Sequence, residues 1–264
     1  MSNSALRVTD SGPVRTLLLD RPALHNAFDA GLIASLNEAL TQAAEAPAVR
    51  VVVLAGAGVS FSAGADLQWM RAMATASEHD NREDALALAG LMRRLDTLPK
   101  PSIARVHGAA FGGGVGLVAC CDIAIGTPQA RFGLTESRLG LLPAVISPYV
   151  IEAIGARQAR RWFATAETFD AATAARLGLL HEVVEAPLLD QAVEHQVQLL
   201  LRAGPQAAGS AKHLVRRVAR SIDTTALDAV NAELIARLRS SPEGQEGLSA
   251  FLDKRSPTWA PARP

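Results

Sequence analysis

Two glycine-rich runs each follow a β-branched stretch. AGAGVSFSAGAD, from Ala55 to Asp66, comes directly after VRVVVL (Val49 to Leu54), and HGAAFGGGVGL, from His107 to Leu117, comes directly after Ser102 to Val106. Glycines at the end of a strand let backbone N–H groups approach a ligand with no side chain in the way, and a following helix N-terminus adds partial positive charge. The chemistry open to such loops is the binding of an oxyanion or a phosphate. Either run taken alone is equally a tight turn, and Glu136 taken alone is a solvated loop carboxylate.

Other chemistries lack their residues. Gly112, Gly113, Gly114 and Gly116 do not spell G-x-G-x-x-G, because Leu117 stands at the third glycine position, and no G-x-x-x-x-G-K-[ST] occurs. There is no H-E-x-x-H and no G-x-S-x-G, and the six histidines are scattered. His107, beside Gly108, reads as a packed or loop histidine. Cys120 and Cys121 are adjacent within an apolar run, which suits neither a disulfide framework nor a redox or zinc motif, so buried reduced thiols are expected and no metal.

The elements that must hold these loops follow from periodicity. Val14 to Asp20 reads as a strand, and Asp29 N-caps a helix with Leu32, Ile33, Leu36 and Leu40 on its apolar face. Val49 to Leu54 is a strand buried on both faces. Ser77 to Asp80 opens a long helix carrying Leu88, Leu91, Met92 and Leu95, stopped by Pro99 and Pro101. Ser102 to Val106 is a strand, Val115 to Cys121 a helix, and Asp122 to Ile125 another strand. This alternation predicts an α/β class built on a repeated β/α unit. From Gln191 onward only helical patterns occur, at Gln191 to Leu201, Pro205 to Val218 and Thr225 to Leu238. A core over residues 1–190 and a helical region over 191–264 are therefore expected, with Arg255 to Pro264 frayed unless a partner chain holds it.

Charge is balanced at 26 basic against 26 acidic residues, which gives no overall field to recruit nucleic acid or an anionic membrane. Lys212, Arg216 and Arg220 at helical spacing prompt a nucleic-acid-binding or non-catalytic CoA-binding alternative, against a solvated or intersubunit helix face. No apolar stretch reaches the ~18 residues of a membrane span, and Met1 to Asp10 has no apolar segment, so a cytoplasmic protein is expected.

Longer segments carry a resemblance. FSAGADL (Phe61 to Leu67), GAAFGGGVGL (Gly108 to Leu117), CDIAI (Cys121 to Ile125) and FGLTESRLGLLP (Phe132 to Pro143), with RPALHNAF near the N-terminus and EGLSAFLDKRSP near the C-terminus, resemble the successive signatures of the crotonase (enoyl-CoA hydratase/isomerase) superfamily. The resemblance implies a spiral of repeated ββα units with a helical C-terminal region that builds a homotrimer, commonly paired into a hexamer. It implies an acyl-CoA thioester substrate and no cofactor beyond its CoA moiety. It assigns the thioester oxygen to the N–H groups of Ala65 and Gly113, a pair in which each donor would contribute about 2.7–4 kcal/mol as charge grows on that oxygen. Ala63, Gly64, Asp66 and Leu67 would line the adenine, Leu24 the pantetheine path, and Phe251 and Lys254 of a neighbouring subunit the adenine and phosphate end.

Hydratases of this superfamily typically use two glutamates. Glu136 matches the second, but Gly116 stands where the first is expected. One carboxylate also resembles Δ3,Δ2-enoyl-CoA isomerases. The run LGLLPAVISPYVIEAIG and the ending SPEGQEGLSAFLDKRSPTW are similar to bacterial 3-methylglutaconyl-CoA hydratases of leucine breakdown and isohexenylglutaconyl-CoA hydratases of acyclic terpene breakdown. Members of this subgroup tend to lack the first glutamate. Their doubly acidic substrates imply a cation near the acyl end, for which Arg138 is the nearest candidate in sequence.

Overall fold

The structure is a computed structural model that describes residues 5–221 and 224–260. Its strands are β1 (Leu6–Ser11), β2 (Val14–Leu19), β3 (Val51–Gly56), β4 (Ser102–Val106), β5 (Ala109–Phe111), β6 (Ile123–Gly126), β7 (Arg131–Gly133), β8 (Thr168–Asp170) and β9 (Glu182–Val183). Its helices are α1 (Ala30–Glu45), α2 (Leu67–Thr75), α3 (Glu78–Asp96), α4 (Gly113–Cys120), α5 (Ser147–Ile154), α6 (Ala156–Thr165), α7 (Ala171–Leu177), α8 (Leu189–Arg202), α9 (Pro205–Arg220), α10 (Thr224–Ser240) and α11 (Pro242–Leu252).

The strands form two sheets. The larger is six-stranded in the order β1-β2-β3-β4-β6-β9, parallel except for the β1–β2 hairpin. The smaller runs β5-β7-β8, and two single bridges, Phe28 to Ala65 and Ser62 to Ala110, lie beside it. Successive passes of the chain contribute to the large sheet and then to the small one before a helix closes the turn, as in β4, β5 and α4. This is the ββα spiral. β3 is buried at every position, as a parallel strand covered on both faces must be.

The expected strands and long helices appear, with Asp29 and Ser77 capping α1 and α3 through their side chains. α4 starts two residues earlier than its apolar run, at Gly113, because Gly112 takes a positive φ of 49° and serves as N-cap.

The boundary expected at 190/191 falls inside α8. Leu189, Val193, Val197 and Leu201 pack against Val51, Val53, Ile103 and Ile125 of the large sheet, so this helix belongs to the sheet's core. Among the described residues, helices without strands continue from α9 onward. Residues 255–260, expected to fray, are tied down by their own chain. Arg255 makes a two-pronged pair with Glu246, the Trp259 indole donates to Arg202 O, and Arg50 donates to Trp259 O. Residues 261–264 of that expectation lie outside the described residues. Among the described residues no helix is long and apolar enough to cross a membrane.

Candidate active site

The first glycine loop is pinned by the segment at residues 21–29. Asn26 is fully buried, donates from Nδ2 to Ala57 O and Ser60 O, and accepts from Arg21 N. Ala63 N donates to His25 O. Phe28 N donates to Gly64 O and Asp66 N to Phe28 O, a parallel bridge that turns the Ala65 N–H away from Phe28. Gly64, at φ 88°, makes the bend, and a Cβ there would meet Phe111 O at 2.9 Å. Ala65 is exposed.

The second loop approaches the first closely. Ser62 O accepts Phe111 N, and a Cβ on Gly114 would lie 2.6 Å from Ser62 O. α4 therefore presents its N-terminus beside Gly64 and Ala65. Gly113 is its first residue, so its N–H is one of the donors that the helix itself cannot satisfy. Among the described residues no protein acceptor engages Ala65 N–H or Gly113 N–H.

Glu136 reaches this junction from the small sheet. Gly133 O accepts Gly112 N, joining β7 to the second loop, and Glu136 begins a 3-10 turn three residues later. The Ser137 hydroxyl donates to Phe163 O and fixes that turn on α6. A Cβ on Gly112 would sit 3.1 Å from Glu136 Oε1 and 4.0 Å from Gly64 Cα, so the carboxyl faces both loops. Glu136 Oε2 is buried with no hydrogen-bond partner among the described residues. Burial pushes the carboxyl above the ordinary glutamate value of 4.5, and its own backbone N–H offsets this only in part. A carboxyl with one buried, unpartnered oxygen, raised by desolvation and set beside free amide donors, is suited to accept and return a proton.

Gly116 faces aliphatic side chains, the atoms nearest a Cβ there belonging to Ile146 and Met92. A Cβ there would lie 2.3 Å from Ile146 Cγ2, so aliphatic carbon fills the space a first glutamate would need.

The remaining candidates divide. Leu24 and Leu67 are exposed on the rim of the pinned segment and the first loop, Leu67 at 72%. Asp66 is inward: its side chain accepts from Gln68 N and Trp69 N at the start of α2 and pairs with Arg21 at 3.0 Å. Its amide donates to Phe28 O and its carbonyl accepts Met70 N. Arg138 is exposed on the same turn as Glu136, beside the exposed Leu139, Leu141 and Leu142. Phe251, 81% exposed, and Lys254, at φ 56°, lie at the end of α11, outside this constellation. The pinning residues Arg21, Asn26 and Phe28 and the filler Ile146 were not singled out by sequence. RPALHNAF contained the first three and LGLLPAVISPYVIEAIG the fourth, but neither run shows which of its residues the fold buries.

The basic stripe on α9 is turned inward. Lys212 pairs with Asp122 at 2.8 Å and Arg216 with Asp96 at 2.7 Å, lining a cavity of about 600 Å³ at the end of α4 remote from Gly113. The Arg220 side chain lies outside the described residues. His107 is a loop histidine whose Nε2 donates to Gly58 O, and both cysteines are buried thiols pushed up by desolvation, Cys121 to about 12.

Residues 10–262 match the Enoyl-CoA hydratase/isomerase family. An enoyl-CoA hydratase from Shewanella pealeana is 45% identical, with a TM-score of 0.93 over 98% of this chain and 97% of that one. Pseudomonas aeruginosa AtuE is 35% identical, with a TM-score of 0.94 over 97% and 100%. The 2,3-dehydroadipyl-CoA hydratase of Escherichia coli is 33% identical over 261 residues, 97% of this chain and 98% of the relative. The chain belongs to the enoyl-CoA hydratase/isomerase family, has the crotonase fold and is an enzyme of the hydratase type.

Proposed function

We propose that this enzyme adds water across the α,β double bond of a branched glutaconyl-type thioester, 3-methylglutaconyl-CoA or isohexenylglutaconyl-CoA, in the cytoplasm. The observation that carries the reading is the pairing of one carboxyl, Glu136, whose Oε2 is buried without a hydrogen-bond partner, with a filled space over Gly116. The E. coli relative, named for a dicarboxylic acyl-CoA, supports a doubly acidic substrate class.

In this mechanism the thioester oxygen accepts hydrogen bonds from Ala65 N–H and Gly113 N–H. Glu136 takes a proton from water as its oxygen bonds to the β-carbon. The double-bond electrons move onto the thioester as an enolate, held by the two amides. The α-carbon then takes the proton back from Glu136, so a single group acts as base and acid. Arg138 pairs with the substrate's second carboxylate, which also helps to orient the water. Leu24, Ala63, Gly64, Asp66 and Leu67 line the CoA path, and Phe251 and Lys254 complete it from a neighbouring subunit of a trimer or hexamer.

The test presents purified enzyme with crotonyl-, 3-methylglutaconyl-, isohexenylglutaconyl- and 3-enoyl-CoA and identifies products by mass. Gain of one water, fastest on a glutaconyl-type ester, is expected. Conversion of 3-enoyl-CoA to an isomer of unchanged mass, without hydration of the others, would establish the isomerase that one carboxylate also serves.

A further inference from the structure

Gly112 caps α4 at φ 49°, and Gly116 lies one turn further on, inside the helix. Gly112 faces the Glu136 carboxyl. A Cβ on Gly116 would meet Ile146 Cγ2 at 2.3 Å, Ile146 Cβ at 2.9 Å and Met92 Cε at 3.2 Å, where ordinary carbon contacts are about 3.5–4 Å. Met92 is fully buried and ends in a flexible methyl. Ile146 is 3% exposed and fixed through its backbone: its carbonyl accepts Tyr149 N and Val150 N, which open α5, and Ala144 O accepts both Ser147 N and its hydroxyl. Because its β-carbon is part of the conflict, turning Ile146 to another rotamer does not relieve it.

We infer that Ile146 is a specificity-determining residue that holds this site to one carboxylate. It fills the volume that the β-carbon of a second acid at 116 would occupy, so the acid and base work falls to Glu136 alone. A doubly acidic ester brings a carboxylate of its own to such a site, and a crotonyl ester brings none. The substrate consequence rests on the hydration proposed above; the steric statement does not.

Four variants test it: Gly116→Ala, Ile146→Ala, the two combined, and Gly116→Glu combined with Ile146→Ala. Glycine to alanine inside a helix ordinarily stabilises, so a loss here reports the conflict. Gly116→Ala is expected to lower the melting temperature by about 5 °C in the wild-type background and to leave it level or raise it in the Ile146→Ala background. Equal losses in both backgrounds would overturn the steric statement. The folded Gly116→Glu/Ile146→Ala enzyme is expected to raise kcat/KM for crotonyl-CoA, relative to 3-methylglutaconyl-CoA, by about tenfold or more over Ile146→Ala. An unchanged ratio would overturn the specificity role. Melting needs no substrate, so an inactive wild-type enzyme would refute the proposed reaction while the coupling of positions 116 and 146 is still measured.

Discussion

Glu136 is placed against its own stability. Its Oε2 has no partner among the described residues, and burial raises its pKa above 4.5 in the fold. The native state therefore holds this proton more tightly than the unfolded chain does. The stability from the neutral carboxyl is complete below the unfolded pKa and is lost as pH rises through the raised native value. Glu136→Gln keeps the shape and removes the buried charge. It should melt a few degrees higher than wild type at pH 8, at roughly 2–4 °C per kcal/mol, and the gap should close below about pH 4. Its turnover should fall by about 10²–10⁴-fold while CoA-ester binding changes little. Melting curves across pH decide the first point; a variant less stable at pH 8 would contradict the assignment of a desolvated carboxylate. The acid limb of kcat/KM should lie above 4.5 for the same reason. Arg138 carries no such conflict, being exposed and free to reach a ligand. Arg138→Met should raise KM for 3-methylglutaconyl-CoA about tenfold or more while crotonyl-CoA is spared, at roughly 1.4 kcal/mol per tenfold. Equal effects on both esters would exclude a substrate-carboxylate role.

Among elements, α2 is held by the same residue that braces the first loop. Asp66 caps it and pairs with Arg21, which also contacts Asp29 and donates to Ala27 O. Burial raises the Asp66 carboxyl, but the Gln68 and Trp69 amides and the Arg21 guanidinium outweigh it, and the net value lies below 3.8. This contribution is present above pH 3.8 and is lost as pH falls through the depressed native value, the opposite sign to Glu136. Asp66→Ala should cost about 2 kcal/mol and raise KM for CoA esters more than it lowers kcat, because the loop's amides lose their brace. Denaturant unfolding with steady-state kinetics checks this, and a kcat-only loss would place Asp66 in the chemistry instead. Legibility varied for physical reasons at this scale. α1 and α3 carry caps and an apolar stripe, and β3 is apolar throughout, so local sequence marks them. β1 faces solvent at five of six positions, β5, β7 and β8 are three residues long, and α2 has no buried residue, so periodicity had nothing to register. The glycines at 64 and 112 were visible as glycines because their positive φ requires them. The contact of Gly116 with Ile146 joins positions 30 residues apart and exists only once α4 and α5 pack.

For the whole molecule, the helices after the sheet leave large apolar side chains in solvent: Val215 and Val218 on α9, Val230 and Ile235 on α10, and Leu248, Phe251 and Leu252 on α11. Contiguous apolar surface is what association between chains covers. The chain holds these helices in place itself, since Arg50 donates to Leu201 O, Ala203 O and Trp259 O, and Glu243 accepts the amides of Gln206 and Ala207 at the start of α9. What α11 presents at its end is therefore fixed before any partner arrives. If Phe251 and Lys254 serve a neighbour's site, each complete site draws Glu136 from one chain and Lys254 from another. Glu136→Gln chains and Lys254→Ala chains, each deficient alone, should then restore one another when co-expressed, because mixed assemblies contain sites with both residues intact. Partial recovery of wild-type KM in a fraction of sites, in particles of trimeric or hexameric mass by sedimentation equilibrium, is the expected outcome. Activity equal to the average of the two separate preparations would confine Lys254 to its own chain and exclude a shared site.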